Sequence, residues 1–144
     1  MKALLLPLLA ILGLAAGCAS TRLSDAERLA LYEAHAGAPV NQIRYLDPIG
    51  WDRIDDEHVV LQMRPNESWL LRLSGPCLQW STGSPFIGLS TFSGMTLSRF
   101  DKVVAPGSSQ LSCLIQEIRP LDVKALRAAE KGLREKAGAQ ASGT

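Results

Sequence analysis

The sequence predicts a small α+β domain: an N-terminal helix, a small antiparallel β-sheet or partly closed barrel of six to eight short strands, and a C-terminal helix. Three observations predict this class. A capped helical pattern begins near residue 24, apolar and polar residues alternate through the middle of the chain, and helix-forming residues return after residue 121. Tight turns separate most of the alternating segments, which favours antiparallel pairing of neighbouring strands.

The first helix is predicted over residues 21–36. Ser24-Asp25-Ala26-Glu27 has the pattern of a capping box, in which the Ser24 hydroxyl accepts from the Glu27 amide while the Glu27 carboxylate reaches back. A modest apolar stripe consists of Leu29, Tyr32 and Ala36. Gly37, Ala38 and Pro39 are residues that end helices, so the helix should stop there.

The clearest pair of strands forms a hairpin around the turn Arg64–Ser68. Pro65 fixes the φ angle of one central turn residue and Asn66 suits the next. The strand before the turn should place Val59, Leu61 and Met63 on one face, and the strand after it should do the same with Trp69, Leu71 and Leu73. Shorter alternating segments precede the hairpin near Ile43 and Ile49.

The remaining elements follow a segment rich in Ser, Thr and Gly. Short strands are predicted near 87–91, 95–100 and 102–105, and a later one should turn Leu111, Cys113 and Ile115 inward. Pro120 is expected to end that strand, and Asp122 to cap a helix reaching about Lys136. One domain over residues 24–137 follows, with a disordered tail at 138–144.

Residues 1–17 have the layout of an export signal. The apolar run from Ala3 to Ala16 is 14 residues long, shorter than the roughly 20 residues that a spanning helix needs. Leu14-Ala15-Ala16-Gly17-Cys18 is typical of bacterial lipoproteins, in which the cysteine becomes the acylated first residue. The alternative is plain secretion with Cys18 as a free thiol, which is a liability in an oxidising compartment.

Acylation of Cys18 would make residues 18–23 a short lipidated tether. Two or more acyl chains hold a protein firmly on a membrane, whereas one chain binds only marginally. Residue 19 is Ala rather than the Asp that commonly retains such lipoproteins at the inner membrane. Resemblance to that class therefore implies an outer-membrane lipoprotein whose domain faces the periplasm.

The chain without its signal would be electrically neutral. Lys2 accounts for the excess of 15 basic over 14 acidic side chains, so the remaining 127 residues carry equal numbers of each. There is no basic excess to bind nucleic acid or an anionic membrane. The chain is therefore predicted to have no nucleic-acid partner.

Cys77 and Cys113 remain when Cys18 is used by the anchor. Two cysteines in an oxidising periplasm most simply pair with each other, closing a loop that would stabilise the domain by roughly 4 kcal/mol. Two buried thiols or a metal site are the alternatives. Two cysteines without nearby histidines make a poor metal site.

Residues with reactive side chains form no recognisable constellation, and no catalytic residue, metal site or cofactor is predicted. His35 and His58 lack partners at metal-ligand spacing and are interpreted as solvated. Gly88–Phe92 begins like a nucleophile elbow but lacks the second glycine. An acidic group lacks the spacing of a calcium loop and is interpreted as a solvated turn; it consists of Asp52, Asp55, Asp56 and Glu57. Trp80 lies among polar residues and is the best candidate for an exposed contact.

Two longer motifs resemble an uncharacterised family of short lipoproteins from Gram-negative bacteria. One is Arg64-Pro65-Asn66-Glu67, followed by Leu70, Leu71, Leu73 and Cys77; the other is Arg99-Phe100-Asp101, followed by Cys113 and Glu117-Ile118-Arg119-Pro120. The resemblance covers about residues 25–122 and supports the cysteine pair, but it implies no activity. Among the charged residues, Arg99, Asp101, Glu117 and Arg119 would pair at strand ends. Alternatively, Arg64, Arg99 and Arg119 would form an anion-binding patch.

These features favour a lipid-anchored, non-enzymatic binding or accessory module that contacts an envelope protein or a glycan. A second hypothesis is an inhibitor or immunity-type lipoprotein that blocks a periplasmic lytic enzyme through a loop between Ser81 and Gly94. A third is a small hydrolase in which His58 or His35 activates a serine.

Overall fold

The computed structural model describes residues 22–79, 87–105 and 111–142. These ranges contain two helices and eight strands, in the chain order α1 (Asp25–Ala34), β1 (Gln42–Arg44), β2 (Gly50–Arg53), β3 (His58–Arg64), β4 (Glu67–Leu73), β5 (Gly88–Ser90), β6 (Thr96–Ser98), β7 (Lys102–Val104), β8 (Ser112–Leu121) and α2 (Val123–Ala141). Six strands form one curled antiparallel sheet, a half-barrel, in the order β2-β3-β4-β8-β7-β5. Strands β1 and β6 form a separate two-stranded sheet. The predicted α+β class is confirmed.

The central sheet is buried on both of its faces. One face carries the main core, to which β3 contributes Val59, Leu61 and Met63 and β4 contributes Leu71 and Leu73, with Trp69 packed against them. The predicted inward face of the hairpin is confirmed. The other face carries a second core that includes Val60 and Leu70 and is covered by residues of both helices. Strands buried on both faces lose the strict alternation that reveals a one-sided strand, which is why this second core was not predicted.

Helix α1 begins at the predicted capping box. The Ser24 hydroxyl accepts from the Glu27 amide at 3.3 Å, and the Glu27 carboxylate accepts from the Ser24 amide at 2.9 Å. Hydrogen bonds from the Ser24 hydroxyl and then from its amide lower the pKa of the Glu27 carboxyl. The helix packs Tyr32 into the second core. The Tyr32 hydroxyl donates to Glu130 of α2 at 3.2 Å, and burial is the main cause that raises the pKa of Tyr32.

Helix α2 is longer than the sequence predicted. Asp122 caps it as expected by accepting from the Ala125 amide at 2.9 Å. The helix then continues past Lys136 to Ala141, through residues predicted as the start of a disordered tail, because its alanines outweigh the helix-breaking tendency of Gly138. Neither α1 nor α2, the helices of the described ranges, combines the length and apolar character that crossing a membrane requires.

Strand β8 runs through Pro120 instead of ending there, so that prediction is wrong. Pro120 lies opposite Trp69 of β4, and its carbonyl accepts from the Gly37 amide at 2.8 Å on the other side of the strand. In an antiparallel strand the N–H and C=O of one residue point the same way. The missing proline N–H therefore faces the segment after α1, and the ladder between β4 and β8 stays intact.

A bulge in β8 sets which of its residues face the main core. Arg72 pairs with Glu117 and Leu73 with Ile115, so Gln116 is the extra residue. Ile115 and Ile118 can therefore both be fully buried although they are three positions apart. Leu111, predicted to point inward, is 44% exposed because it precedes the first paired residue of the strand.

The predicted disulfide between Cys77 and Cys113 is present, with the two sulfur atoms at bonding distance and the two Cα atoms 6.0 Å apart. Cys77 is buried, and both cysteines contact the main core. The bond joins the loop after β4 to the beginning of β8, two segments that are 36 positions apart in the chain.

We expect the double substitution Cys77→Ala/Cys113→Ala to lower the free energy of unfolding by about 2–4 kcal/mol, because the unfolded chain regains the entropy that the cross-link removes. Urea denaturation followed by tryptophan fluorescence would measure the loss. Thiol labelling of the denatured, unreduced wild-type protein is the companion measurement. Labelling of either residue there would contradict the disulfide.

Candidate functional site

A charged junction joins α1 to the turn between β2 and β3. We use this name for the side chains of Asp25, Arg28, Asp52, Arg53, Asp55, Asp56 and His58. Arg28 forms an ion pair with Asp52 and donates to the Arg53 carbonyl at 2.8 Å. The Arg53 guanidinium donates to the Asp56 carboxylate at 2.6 Å, and the Asp25 carboxylate lies 3.4 Å from the same guanidinium. Asp52 and Asp56 of the predicted solvated turn are both paired with arginines, and their side chains remain 53% and 45% exposed.

Arg53 also connects the charged junction to the disulfide-linked loop. Its Nε donates to the carbonyl of Leu78, the residue after Cys77, at 3.2 Å. The hydrogen bond to Asp56 is the main cause that raises the pKa of the Arg53 guanidinium, with the charge of Asp25 adding to it. The guanidinium is three-quarters buried and stays charged, so removing it would leave several carboxylates and a carbonyl without their donor.

His58 is paired rather than solvated, which corrects the prediction from the sequence. Its side chain is 12% exposed, and Nδ1 lies 2.9 Å from both carboxylate oxygens of Asp55. The same carboxylate accepts from the Glu57 and His58 amides at 2.8 and 2.7 Å. The pair therefore closes the β2–β3 turn. His35 caps the C-terminal end of α1, where its backbone amide donates to the Tyr32 carbonyl at 3.1 Å.

An open depression of about 200 Å³ lies beside this pair. Its lining consists of Asp25, Asp55, Asp56, Glu57 and His58. Within the described ranges, no serine hydroxyl forms a hydrogen bond with either histidine. Over the same residues, no group of three or more His, Cys, Asp or Glu side chains is arranged to hold a metal ion. The side chains of the charged junction form ion pairs and hydrogen bonds within the fold, and none of them is a serine, threonine or cysteine nucleophile.

A second feature is an exposed apolar corner beside the small sheet, formed by Phe92, Met95 and Phe100. Phe92 is fully exposed, Phe100 is 79% exposed and Met95 is 73% exposed. Large apolar side chains with such exposure, close together in the chain and rimmed by polar groups, are typical of surfaces that contact another molecule. None of these three residues was predicted from the sequence to be a surface contact.

A buried carboxylate holds the apolar corner in place. Asp101 is 5% exposed, and its carboxylate accepts from the Phe92 amide at 2.9 Å and from the Ser98 amide and hydroxyl at 2.6 and 3.0 Å. Its backbone carbonyl accepts from Ile115 of β8 at 2.9 Å. The loops that carry Phe92 and Phe100 are therefore both fixed to one side chain, which is itself fixed to the central sheet.

The turn that carries Met95 is ordered by local polar contacts. The Ser93 hydroxyl accepts from the Met95 and Thr96 amides at 3.3 and 3.1 Å. Gly94 has a φ of 68°, a conformation that side-chain-bearing residues rarely adopt. The Met95 carbonyl accepts from the Tyr45 amide at 2.8 Å. These contacts fix the backbone and leave the Met95 side chain outside.

Three exposed basic residues lie on the elements that carry or adjoin the apolar corner. Arg44 lies opposite Thr96 in the small sheet, and the Arg99 guanidinium lies 6.0 Å from the centre of the Phe100 ring. Lys102 follows Asp101 at the start of β7. Over the residues that the structure describes, no carboxylate comes within 4.0 Å of these three cations. The surface therefore combines apolar and positive groups.

The arginines predicted as a patch have separate partners. Arg119 donates to the carbonyls of Gly37 and Ala36 at 2.9 and 3.2 Å and thereby holds the segment after α1 against β8. Arg64 is exposed in the hairpin turn, 3.8 Å from Glu67. Arg99 belongs to the apolar corner. Cys18 and Trp80, the other predicted site residues, lie outside the described residues.

Of the four charged motif residues predicted to pair, Glu117 and Arg119 do so, at 4.0 Å. Glu117 also lies 3.6 Å from Arg72. Asp101 instead accepts hydrogen bonds from backbone amides and a serine. Its role is to build a loop rather than to neutralise an arginine.

We expect Asp101→Asn to destabilise the domain by about 1–3 kcal/mol, because an amide has one oxygen to accept from three donors and its NH₂ faces donors. Thermal unfolding would measure the effect. Asp47→Asn is the matched control, since Asp47 is exposed and accepts a single hydrogen bond from Tyr45, at 3.3 Å. Equal stability of the two variants would show that Asp101 does not organise the loop.

We expect Arg53→Met to cost about 1–3 kcal/mol, because it leaves Asp25, Asp56 and the Leu78 carbonyl without their shared donor. Arg64→Met removes a similar side chain that is 61% exposed and has one distant partner, and should cost less than about 0.5 kcal/mol. Urea denaturation of both variants would compare them. A larger loss for Arg64→Met would contradict the structural role of the charged junction.

Comparison with known proteins identifies a family without an assigned role. The model of a family of unknown function, DUF6491, matches residues 1–137. The match includes the apolar N-terminal run, Cys18, every strand of the sheet and most of α2. No curated protein and no solved structure matches the chain.

Proposed function

The chain belongs to the DUF6491 family of unknown function, and we propose that it is a lipid-anchored, non-enzymatic binding or accessory protein of the Gram-negative envelope. The observation that carries the binding role is the rigid, exposed apolar corner. Attached to the outer membrane through acyl chains on Cys18, the domain would face the periplasm and contact another component of the envelope.

Two features support the envelope location. The family match begins at residue 1 and so includes both the apolar leader and Cys18. The Cys77–Cys113 disulfide is typical of proteins in oxidising compartments such as the periplasm. The tether from residue 18 to residue 23 is at most about 20 Å long when extended, so the domain would stay close to the membrane surface.

Binding is favoured over catalysis by how the polar side chains are used. His58, Arg53 and Asp101 have their hydrogen-bonding capacity directed at turns and neighbouring elements of the fold. The exposed groups are apolar or positively charged instead. Such a surface suits binding to another component of the envelope.

The inhibitor hypothesis also has a supporting observation. Phe92 is fully exposed and lies within the predicted inhibitory loop, Ser81–Gly94, of which residues 81–86 lie outside the described residues. A rigid loop with a protruding aromatic residue would suit insertion into the cleft of a periplasmic lytic enzyme. The hydrolase hypothesis has only the Asp55–His58 pair in its favour.

We expect Cys18→Ser to release the protein from the membrane fraction at high salt. Ala15-Ala16-Gly17 still offers a small-x-small cleavage site, so the variant would be exported without acyl chains. Fractionation and the intact mass of the mature chain would be measured together. Phe92→Ala, which keeps Cys18, is the control that should remain bound.

An unchanged pellet of Cys18→Ser at high salt would contradict the anchor. So would a wild-type mass that lacks added lipid, or a mature chain that begins at a residue other than Cys18.

A further inference from the structure

We propose that the apolar corner is a lipid-binding surface that enters the headgroup region of an anionic phospholipid bilayer and fixes the orientation of the anchored domain. The inference rests on the proposed function in one respect, because the acyl anchor supplies the nearby membrane. It names the partner of the surface described above. The partner is a layer of negatively charged headgroups above the hydrocarbon core of the bilayer.

The charges around the apolar corner are complementary to such a layer. Asp101 is the only acidic residue in the segment 87–105, and its carboxylate is buried and satisfied by the loops. Arg99 and Lys102 of the same segment, together with Arg44, are exposed. The segment therefore presents cations without a competing surface carboxylate of its own. Basic residues near a membrane surface are attracted by anionic lipids.

The apolar side chains have the character of membrane-interface residues. Aromatic rings and long apolar side chains enter the boundary between headgroups and acyl chains, with Arg and Lys remaining among the phosphates. Arg99 lies beside the Phe100 ring, so two adjacent residues would supply a cation for the phosphates and a ring for the acyl-chain boundary. Because Asp101 and Ser93 fix the loops, Phe92 and Met95 would enter the bilayer with little loss of loop entropy.

The extent of the apolar corner also suits lipid. Three side chains with the exposed fractions given above present about 400–600 Å² together, given roughly 150–250 Å² for a large aromatic residue. A stable protein interface buries about 800 Å² on each partner, polar rim included. A bilayer needs no matching surface, because lipids rearrange around a protruding ring.

The contact should be weak without the anchor and well populated with it. We expect a dissociation constant on the order of millimolar lipid for the unanchored domain, whereas a short tether supplies an effective concentration that is also millimolar or higher. Loss of the acyl chains would therefore release the protein, as expected for Cys18→Ser, even though the surface itself binds lipid.

Tryptophan quenching by brominated acyl chains tests this surface directly. Phe100→Trp is placed in the acylated full-length mature chain, which is reconstituted into phosphatidylglycerol vesicles with or without bromine. We expect at least a twofold loss of the added emission after subtraction of the wild-type signal. Leu133→Trp is the control, because Leu133 is 39% exposed on α2, the helix that packs on the opposite face of the sheet. Its emission should be unchanged.

Phe100→Trp and its control Leu133→Trp are also measured in the Cys18→Ser background at several millimolar phosphatidylglycerol. Quenching of Phe100→Trp there, reduced at least twofold in phosphatidylcholine or at high salt, supports the surface even if the acyl anchor is absent from the wild-type protein. Failure of the wild-type chain to remain on vesicles at high salt would refute the anchor alone.

Equal quenching of the two tryptophans in the anchored chain, or none at position 100 in either background, would overturn the proposal. A blue shift of Phe100→Trp without bromine quenching would indicate a protein contact and would overturn it as well. Phe92→Trp repeats the measurement at a second exposed position, and unchanged thermal midpoints verify that the variants fold.

Discussion

The fold depends on one continuous strand that has to satisfy different neighbours along its two edges. Strand β8 pairs with β4 along one edge, and along the other it pairs first with β7 and then with the segment after α1. Three residues of β8 fix other segments in position. Cys113 forms the disulfide, the Ile115 amide donates to the Asp101 carbonyl, and the Arg119 side chain donates to carbonyls after α1. The bulge at Gln116 lets Ile115 and Ile118 stay in the same core while these partners change.

Strand β8 also relates the proposed anchor to the proposed lipid contact. Helix α1 follows the tether and is held at one end by the charged junction and at the other by Arg119. The apolar corner is held through Asp101, whose carbonyl binds Ile115. Both attachments lead to the same sheet, so the positions of α1 and of the apolar corner are set by the fold. A domain with two such contacts would have a defined orientation at a membrane, whereas an acyl chain alone would leave it free to rotate.

Patterns of short range were predictable from the sequence, and contacts made by the fold were not. The capping box at Ser24 and Glu27, the hairpin at Pro65 and Asn66 and the inward residues Val59 and Leu71 each depend on neighbours within a few positions or on strand alternation. The cysteine pair followed from elimination and redox chemistry. Pro120 was misjudged because its effect depends on which side of β8 its nitrogen faces, and His58 because Asp55 reaches it only through the shape of the turn. The role of Asp101 could not be predicted, because the sequence does not distinguish a buried acceptor for three donors from a solvated acidic residue in a polar loop.

The charge of the chain shows how the fold changes what composition implies. Nearly equal numbers of acidic and basic side chains, 14 and 15, argue against attraction to an anionic membrane when they are mixed evenly over a surface. The fold does not mix them evenly. It pairs Asp52 and Asp56 with arginines in the charged junction and buries Asp101 beneath the apolar corner, while Arg44, Arg99 and Lys102 remain outside. At separations comparable to the screening length of about 10 Å in 0.1 M salt, a bilayer responds to the charges that face it rather than to the sum over the molecule. A neutral chain can therefore present a locally cationic, apolar surface, and the burial of a single carboxylate contributes directly to that character.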